Sequence, residues 1–335
     1  MKESLLFRKY KSTNGSAFGD LTIHLVLLWT GFHTTYFFRE SYLCVLPITF
    51  LALMLVRTFI VFHDCGHGSY TPNKQLNYLV GSIMGMFVLT PFSWNYTHHN
   101  HHRTSGKVDN ELQQNAAEMI FHTVAQYHKM SQIQQTCYKI ARNPLLFHTL
   151  LPLFYWGLTQ RDSVVVKKLR GAPFQESVGQ ICLDLVVSNT GICLLGRTLY
   201  TYGILTHYIV ALWLFGVYAL IVFHNEHVFN PPYMVTNDKW TQRNSGLLGS
   251  SLIRVPEWSK YFMSGIEYHH IHHLNAKIPG RNLRAYHEEV VANSPLFENV
   301  VHLTRRDCFA NTRLVLYDES NGRFVSCAEA DRRQM

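Results

Sequence analysis

The chain has 335 residues, with 47% hydrophobic and 16% charged residues, a formal charge of +8 and a mean hydropathy of −0.03. The cationic residues form no basic tract interleaved with aromatic residues, which argues against a nucleic-acid-binding protein. Seven cysteines without a C-x-x-C pair argue against a disulfide framework. The average hydropathy alone does not indicate a membrane protein, so the distribution of apolar residues along the chain has to decide.

Long apolar runs are the main feature of the distribution. Each approaches the ~20 residues that a bilayer-spanning helix requires. Two shorter runs better suit re-entrant or interfacial helices. If the four long runs and the two shorter ones were all core helices of a soluble protein, too little polar sequence would remain to cover them. The sequence therefore predicts an all-α, polytopic membrane protein without a cleavable signal peptide. The four predicted transmembrane helices cover 21–38, 43–62, 178–196 and 204–223, and the shorter runs cover 78–92 and 145–158.

Lysine and arginine are unevenly distributed around these runs. They precede the first run and fill the segment between the second and third, whereas the other two connections carry only Arg39 and Arg197. The positive-inside rule then predicts both termini and the segment 95–175 on the cytosolic side. The cations of the two predicted cytosolic segments are Lys2, Arg8, Lys9 and Lys11, then Arg103, Lys107, Lys129, Lys139, Arg142, Arg161, Lys167, Lys168 and Arg170.

Twenty residues are histidine, and more than half of them lie in four short stretches. The stretches read HDCGH at 63–67, HHNHH at 98–102, HNEH at 224–227 and HHIHH at 269–273. In the second and fourth, three histidines recur at i, i+3 and i+4. On a helix that spacing places them on one face, so we expect each triplet to lie within reach of one metal centre. All four stretches fall on the predicted cytosolic side, in a helical cap next to the membrane.

Several kinds of metal site are consistent with a histidine cluster. HDCGH has the frame of the zinc-peptidase H-E-x-x-H motif, but Asp64 replaces the glutamate base. A structural zinc site would use four ligands, often cysteine, and a carboxylate-bridged di-iron bundle would need Glu-x-x-His pairs. A metal transporter would place histidines within the spans. About nine clustered histidines instead suit two irons bound mainly by imidazole, which favours O₂ activation on a membrane substrate. Cys65 is either a further thiolate ligand or a small buried residue.

The histidine stretches resemble the membrane-bound fatty acid desaturase family, in particular its acyl-lipid branch. HDCGHGSY at 63–70, SWNYTHHNHHRTSG at 93–106 and GIEYHHIHHLNAKIPGRNL at 265–283 resemble its three histidine boxes. The resemblance covers about residues 20–290. It implies four spanning helices, a cytosolic cap and two non-haem irons. It also implies insertion of a double bond into a fatty acyl chain with O₂ and two electrons.

The resemblance also implies a ligand set. Asp64, Asp109 and Asn275 are candidate partners that orient imidazoles, or else ordinary capping and surface residues. His99, His224 and His270 are neighbours that we expect outside the ligand set. The implied metal ligands are His63, His67, His98, His101, His102, His227, His269, His272 and His273.

Other implications of the resemblance are less specific. The acyl chain could belong to a lipid, an acyl-CoA or an acyl carrier. The electrons would come from a separate cytochrome b5 or ferredoxin, since the chain contains no His-Pro-Gly-Gly. Aromatic residues such as Phe92, Trp94 and Trp258 either line an acyl tunnel or simply pack. Glu226 and Glu267 depart from the family pattern. The same irons would serve a lipid hydroxylase, an acetylenase, or a carotenoid or sterol oxidase.

The expected organisation has three parts. Residues 1–20 form a cytosolic N-terminal segment, residues 21–299 form the desaturase domain, and residues 300–335 form a polar cytosolic tail. The expected location is the endoplasmic reticulum in a eukaryote or the inner membrane in a bacterium.

Overall fold

A computed structural model describes residues 7–108, 121–156, 168, 176–291 and 294–332. Asp109 and the basic residues Lys2, Arg161, Lys167 and Arg170 lie outside the described residues. The helices are α1 Asn14–Phe38, α2 Val45–Gly66, α3 Lys74–Phe87, α4 Trp94–Thr104, α5 Val124–His128, α6 Gln132–Ala141, α7 Pro152–Phe154, α8 Val178–Thr201, α9 Leu205–His227, α10 Gln242–Leu248, α11 Lys260–Met263, α12 His269–Leu274, α13 Gly280–Val291, α14 Arg305–Asn311 and α15 Cys327–Arg332. The strands are β1 His122–Thr123, β2 Leu252–Ile253, β3 His302–Leu303, β4 Leu316–Asp318 and β5 Arg323–Val325. Short 3₁₀ turns at Tyr42–Cys44, Glu257–Ser259 and Pro295–Phe297 and a π-helical turn at Leu146–Leu150 complete the elements.

Three helical segments of the described chain are long and apolar enough to cross a membrane. They are Tyr42–Gly66, Val178–Thr201 and Leu205–His227, and they overlap the predicted spans 43–62, 178–196 and 204–223. The predicted span 21–38 is also helical, within α1, but it is not among the three. The physical reason is composition, because its polar side chains dilute the apolar ones. Four transmembrane helices are therefore not confirmed. The polar side chains of α1 include Asp20, Thr22, His24, Thr30, His33, Thr34 and Thr35.

The central core forms around α2, which is buried on nearly every side. Leu51, Met54 and Leu55 of α2 are fully buried, and α2 packs against α1 and α9. Helices α2 and α9 both run towards the histidines, since each ends in a histidine-containing turn. Packing these helices together therefore brings two stretches that are far apart in sequence to the same end of the core.

The two shorter apolar runs form different structures. The run at 78–92 contributes most of α3, whose Gly81 and Gly85 allow close packing against Phe92 and Phe62. The run at 145–158 begins with the π-helical turn and α7, and it exposes Leu145, Leu150 and Phe154. Residues 157 and 158 lie outside the described part of the chain. Both runs combine buried side chains with exposed apolar ones, since Leu79 and Ile83 of the first run are also exposed.

Small sheets add to the mainly helical fold. Strand β1 pairs in parallel with β4, β4 pairs antiparallel with β5, and β2 pairs in parallel with β3. Strands of two or three residues are too short for an alternating pattern to reveal, so an all-α prediction misses them.

The segment after residue 300 is folded onto the end of α9. Asn225 Nδ2 donates to the carbonyl of Cys308 at 3.1 Å. Asn230 Nδ2 donates to the carbonyl of Phe324 at 3.0 Å, and the Phe324 N–H donates back to Asn230 Oδ1 at 2.8 Å. Residues 302–332 therefore help to enclose the end of the helix that bears His227.

Candidate metal centre

Four helical segments bring the predicted ligands together at one end of the core. The last turn of α2 and its C-cap provide His63 and His67, and the last residue of α9 is His227. The remaining six come from two short helices, α4 and α12. Most of these side chains are buried, so the imidazoles face one another and are shielded from solvent.

The nine histidines divide into two clusters. Within each cluster the ring nitrogens lie within 4.8 Å of one another, a spacing that could hold a metal ion. The first cluster consists of His63, His67, His98, His102 and His272. The second cluster consists of His101, His227, His269 and His273.

This division corrects the expectation that each triplet serves one centre. Successive residues of a helix are rotated by about 100°, so His101 and His102 point in clearly different directions. His102 therefore joins His98 in the first cluster, while His101 faces the second. In α12 the i, i+4 pair His269 and His273 faces the second cluster, and His272 faces the first. Both short helices thus bridge the two clusters.

Contacts between Nε2 atoms show that hydrogen bonds alone do not explain the first cluster. The Nε2 atom of His98 lies 2.8 Å from that of His63 and 3.1 Å from that of His102, which lies 3.0 Å from that of His272. An imidazole Nε2 offers either one proton or one lone pair. Four such atoms can therefore form at most two hydrogen bonds, although three close contacts exist. The third contact requires another source of attraction, such as a shared cation.

The second cluster presents the same problem. His227 Nε2 lies 2.9 Å from His101 Nε2 and 3.0 Å from His269 Nε2, and only one of these contacts can be a hydrogen bond. Nitrogens that bind one metal at ~2.1 Å and at right angles lie ~3.0 Å apart. The buried Nε2 atoms of His67 and His273 have no hydrogen-bond partner among the described residues. The residues present therefore fit two metal ions held by imidazoles.

Burial also sets the protonation state that ligands need. The pKa values of His98, His102 and His273 lie well below the ordinary value, first because burial disfavours the charged ring and then because neighbouring imidazoles repel it. A neutral imidazole has a lone pair available for a metal, whereas an imidazolium does not. The clusters are therefore held in the metal-binding form.

Groups outside the clusters orient some of the rings. His227 Nδ1 lies 3.0 Å from the carbonyl oxygen of Gly249, which holds Nδ1 protonated and directs Nε2 at the cluster. Glu226 Oε1 lies 3.4 Å from His269 Nδ1. Asp64 Oδ1 lies 3.6 Å from His63 Nδ1.

The other Asp64 oxygen accepts the Gly280 N–H at 2.7 Å, at the start of α13. Asp64 therefore joins two parts of the chain at the edge of the first cluster. Asn275 instead accepts the backbone N–H of Lys277 at 3.0 Å, as a turn residue does, and among the described residues no hydrogen bond joins its side chain to an imidazole.

The neighbouring histidines lie outside both clusters. His99 Nε2 is 3.1 Å from the carbonyl of Gly66, and His224 Nε2 is 2.9 Å from the carbonyl of Asn311. His270 packs against the rings of His287 and Phe297. Sequence spacing separates His99 and His270 from the triplets by helix phase, but it does not separate His224 from His227.

Of the two interpretations of Cys65, a thiolate ligand or a small buried residue, the structure supports the buried residue. Its side chain is buried in an apolar cluster with Phe62, Tyr70, Met84 and Trp94, and it belongs to neither histidine cluster. It is a small packing residue on the opposite side of α2.

An apolar cavity of about 60 Å³ lies between α2 and α9 and reaches both clusters. His63 and His98 of the first cluster and His269 of the second form part of its wall. Of the aromatic residues proposed from the sequence, Trp94 lines the cavity. Phe92 packs against Tyr78 and Phe62, and Trp258 is 65% exposed at the surface. The lining also includes Glu226, which the sequence comparison singled out, and residues that the sequence did not indicate, namely Val56, Phe59, Ile60, Tyr155, Trp156, Phe215, Tyr218, Ala219, Val222, Phe223, Met263 and Ile266.

Sequence reasoning also missed Asp184. This carboxylate is buried within α8 and accepts the hydroxyl of Tyr96, two residues before His98, at 2.9 Å. The signal was present in the sequence, because an acidic residue inside an apolar span is costly and usually has a functional role.

Comparisons with known proteins agree with the geometry. The model of the fatty acid desaturase family matches residues 40–304. A fatty acid desaturase of Bacillus subtilis (strain 168) is 30% identical over 292 residues, covering 85% of this chain and 78% of the relative. An sn-1 oleoyl-lipid 12-desaturase of Anabaena variabilis is 27% identical over 259 residues, covering 74% and 69%. A chloroplastic omega-3 fatty acid desaturase of Ricinus communis is 26% identical over 244 residues, covering 67% and 48%. Because the match covers most of the chain and includes all four histidine stretches, the chain belongs to the fatty acid desaturase family.

Proposed function

We propose that this protein inserts a double bond into a fatty acyl chain at a pair of non-haem irons. The observation that supports this most directly is the apolar cavity whose wall includes histidines of both clusters. The few methylene groups of an acyl chain that fit in that cavity would lie beside both proposed metal positions. The overall reaction removes two hydrogen atoms from adjacent methylene groups. With two electrons and two protons from a donor, one O₂ is reduced to two molecules of water.

The nine clustered histidines would hold the irons, which would supply the oxidant derived from O₂. The protein itself binds the chain and positions one C–C bond. Phe59, Trp156 and Phe215 contact one another along the cavity and offer apolar surface to the methylene groups. Burial of a methylene group contributes about 0.8 kcal/mol, so binding comes mainly from chain length. Because an acyl chain lacks polar groups along its length, the shape of this wall would select the carbon atoms.

The proposed membrane arrangement includes α1 as a fourth span. Its polar residues find partners inside the protein, since Asp20 pairs with Arg57 of α2 and His24 Nε2 lies 3.1 Å from Thr58 Oγ1. Many of its apolar side chains face outward, as expected for contact with lipid tails, whereas Ala17 and Leu28 are buried. The more exposed ones are Phe18, Ile23, Leu25, Val26, Trp29 and Phe37.

The positive-inside rule would place the histidine clusters on the cytosolic side of the endoplasmic reticulum or of a bacterial inner membrane. In this arrangement residues 21–299 form the catalytic domain, with the segments 1–20 and 300–335 on the cytosolic side. The electron donor would be a separate protein such as cytochrome b5 or ferredoxin. The acyl chain would be esterified to a lipid, as the name of the Anabaena relative suggests, or carried by CoA or an acyl carrier protein.

The test is expression of the full chain in a host with a simple lipid composition, followed by mass spectrometry of double-bond positions. We expect new unsaturated acyl chains that require O₂ and are absent from a His269→Ala variant expressed at the same level. Hydroxylated or acetylenic products without a new alkene would contradict desaturation and favour the related lipid oxidations. A new oxygenated sterol or carotenoid would do the same.

A further inference from the structure

A buried carboxylate lies inside a candidate membrane span. Asp184 of α8 is only 2% exposed, although most of that helix faces outward. The buried side chains of α8 are Ile181, Asp184, Ser188 and Leu199. A charged group at such a position is costly unless it is paired or hydrogen bonded, and it usually has a functional role.

Asp184 accepts hydrogen bonds from three donors. The Tyr78 hydroxyl donates to Oδ1 at 2.7 Å, and Gln180 Nε2 donates to the same atom at 2.9 Å. The Tyr96 hydroxyl donates to Oδ2 at 2.9 Å. An ionised carboxylate accepts only, and such charge-assisted bonds are roughly twice as strong as neutral ones. Burial and the bond to Asp184 raise the pKa of Tyr78 to about 12, so Tyr78 remains a donor at cellular pH.

These bonds join three helices at the metal centre. Tyr78 belongs to α3, Asp184 to α8 and Tyr96 to α4, the helix that contains His98, His101 and His102. The N-cap residue of α4, Ser93, makes no side-chain capping bond within the described chain. The start of α4 is therefore held by contacts with neighbouring helices, and the Tyr96–Asp184 bond is one of them.

Because α4 carries histidines of both clusters, the rotation of this helix about its axis determines whether both sets of side chains reach their clusters. His101 and His102 point about 100° apart and face different clusters, so turning the helix towards one cluster moves a ligand away from the other. Tyr96 precedes His98 by two residues and extends from another side of the helix. A bond at the Tyr96 hydroxyl therefore resists rotation of the whole helix.

We propose that Asp184 is a positioning residue of the metal centre, which holds the Tyr96 hydroxyl and thereby directs the histidines of α4 at both clusters. This inference rests on the proposed binding of metal by the clusters. It assigns to α8, which contributes no histidine to either cluster, a role in metal affinity.

The experiment compares metal affinity in full-length variants. Tyr96→Phe removes only the hydroxyl, Asp184→Ala removes the acceptor, and Asp184→Asn restores a polar side chain of the same size. Ser188→Ala is the matched control, because Ser188 is buried one turn further along α8 and its hydroxyl has no hydrogen-bond partner within the described chain. Metal retained per chain is measured during a graded chelator titration, and the visible spectrum of the Co(II)-loaded protein reports ligand geometry.

We expect Tyr96→Phe and Asp184→Ala to lower the apparent metal affinity about 10–100-fold, the usual effect of losing a group that orients ligands. Asp184→Asn should recover part of the loss, and Ser188→Ala should match the unmodified protein. Tyr78→Phe should have a smaller effect than Tyr96→Phe, because it leaves the bond to α4 intact.

Two outcomes separate the inference from the proposed function. If the unmodified protein binds no metal, the proposed function itself fails. If it binds two metals and Tyr96→Phe shows the same affinity and the same Co(II) spectrum, the positioning role of Asp184 is wrong. This holds even if metal-free Asp184→Ala unfolds at a lower temperature, because that result would show only a contribution to folding stability.

Discussion

His101 and His102 are adjacent in the chain, yet their imidazoles belong to different clusters. His101 Nε2 lies 2.9 Å from His227 Nε2, whereas His102 Nε2 lies 3.0 Å from His272 Nε2. The pair sits at the junction of the two clusters. Because the two residues are consecutive, their side chains are rotated by about 100° around the helix, and the two clusters therefore lie side by side.

The first prediction concerns metal content. The two clusters should hold two irons per chain, and His227→Ala should lose most of the metal of the second cluster while the first is retained. Elemental analysis of purified protein, normalised to amino-acid content, checks this. Stoichiometric zinc in a fully active preparation would contradict the assignment of iron.

The second prediction uses the adjacent pair His98 and His99. Alanine at His98 removes a ring from the first cluster and should abolish desaturation. Alanine at His99 removes a contact with the Gly66 carbonyl, which is worth about 1 kcal/mol, and should leave measurable product. Product per unit of membrane-inserted protein is the measurement. Activity in the His98 variant together with none in the His99 variant would reverse the assignment.

The third prediction tests the cavity. Ala219 of α9 lines it, so Ala219→Phe should fill space needed by the acyl chain. We expect a large loss of product while both metals remain bound. Ala310→Phe, at an exposed position of α14, serves as the control for the same increase in size. Normal activity of the Ala219 variant would show that the substrate uses another route.

The fourth prediction concerns the contact between α2 and α4. A Cβ atom on Gly66, which lies between His63 and His67, would overlap the buried side chain of Asn95. Gly66→Ala should therefore destabilise the protein by about 1–3 kcal/mol, as overpacking typically does. Thermal unfolding in detergent measures the change. An unchanged unfolding temperature would mean that α4 shifts to accommodate the added Cβ atom without a loss of folding stability.

The fifth prediction concerns topology. Tags at either terminus and at Lys168 should react only with probes on the cytosolic side, because lysine and arginine are concentrated in those segments. Labelling of intact cells and of inverted vesicles gives the comparison. If residue 168 were labelled from the opposite side, the apolar run at 145–158 would have to cross the membrane.

The sequence by itself indicated most of the histidines that gather into clusters able to hold metal, because the chemistry of imidazole and the i, i+3, i+4 spacing are local properties, whereas His227 was expected only from the family resemblance. All nine histidines proposed as ligands lie in the two clusters. It also determined three apolar helices, since a span depends on a continuous run of about 20 residues. For α1 the local composition is mixed, and its interpretation depends on which neighbours pair with Asp20 and His24.

Only the tertiary structure decided how the histidines divide between two clusters and why His227 joins them while His224 does not. Those outcomes depend on the rotation and approach of helices that are far apart in sequence, which no local pattern specifies. The same holds for the cavity wall, where Phe59, Trp156 and Phe215 meet from three segments. It holds for Asp184 as well, because its carboxylate accepts a hydrogen bond from Tyr96, which is 88 residues away in the chain.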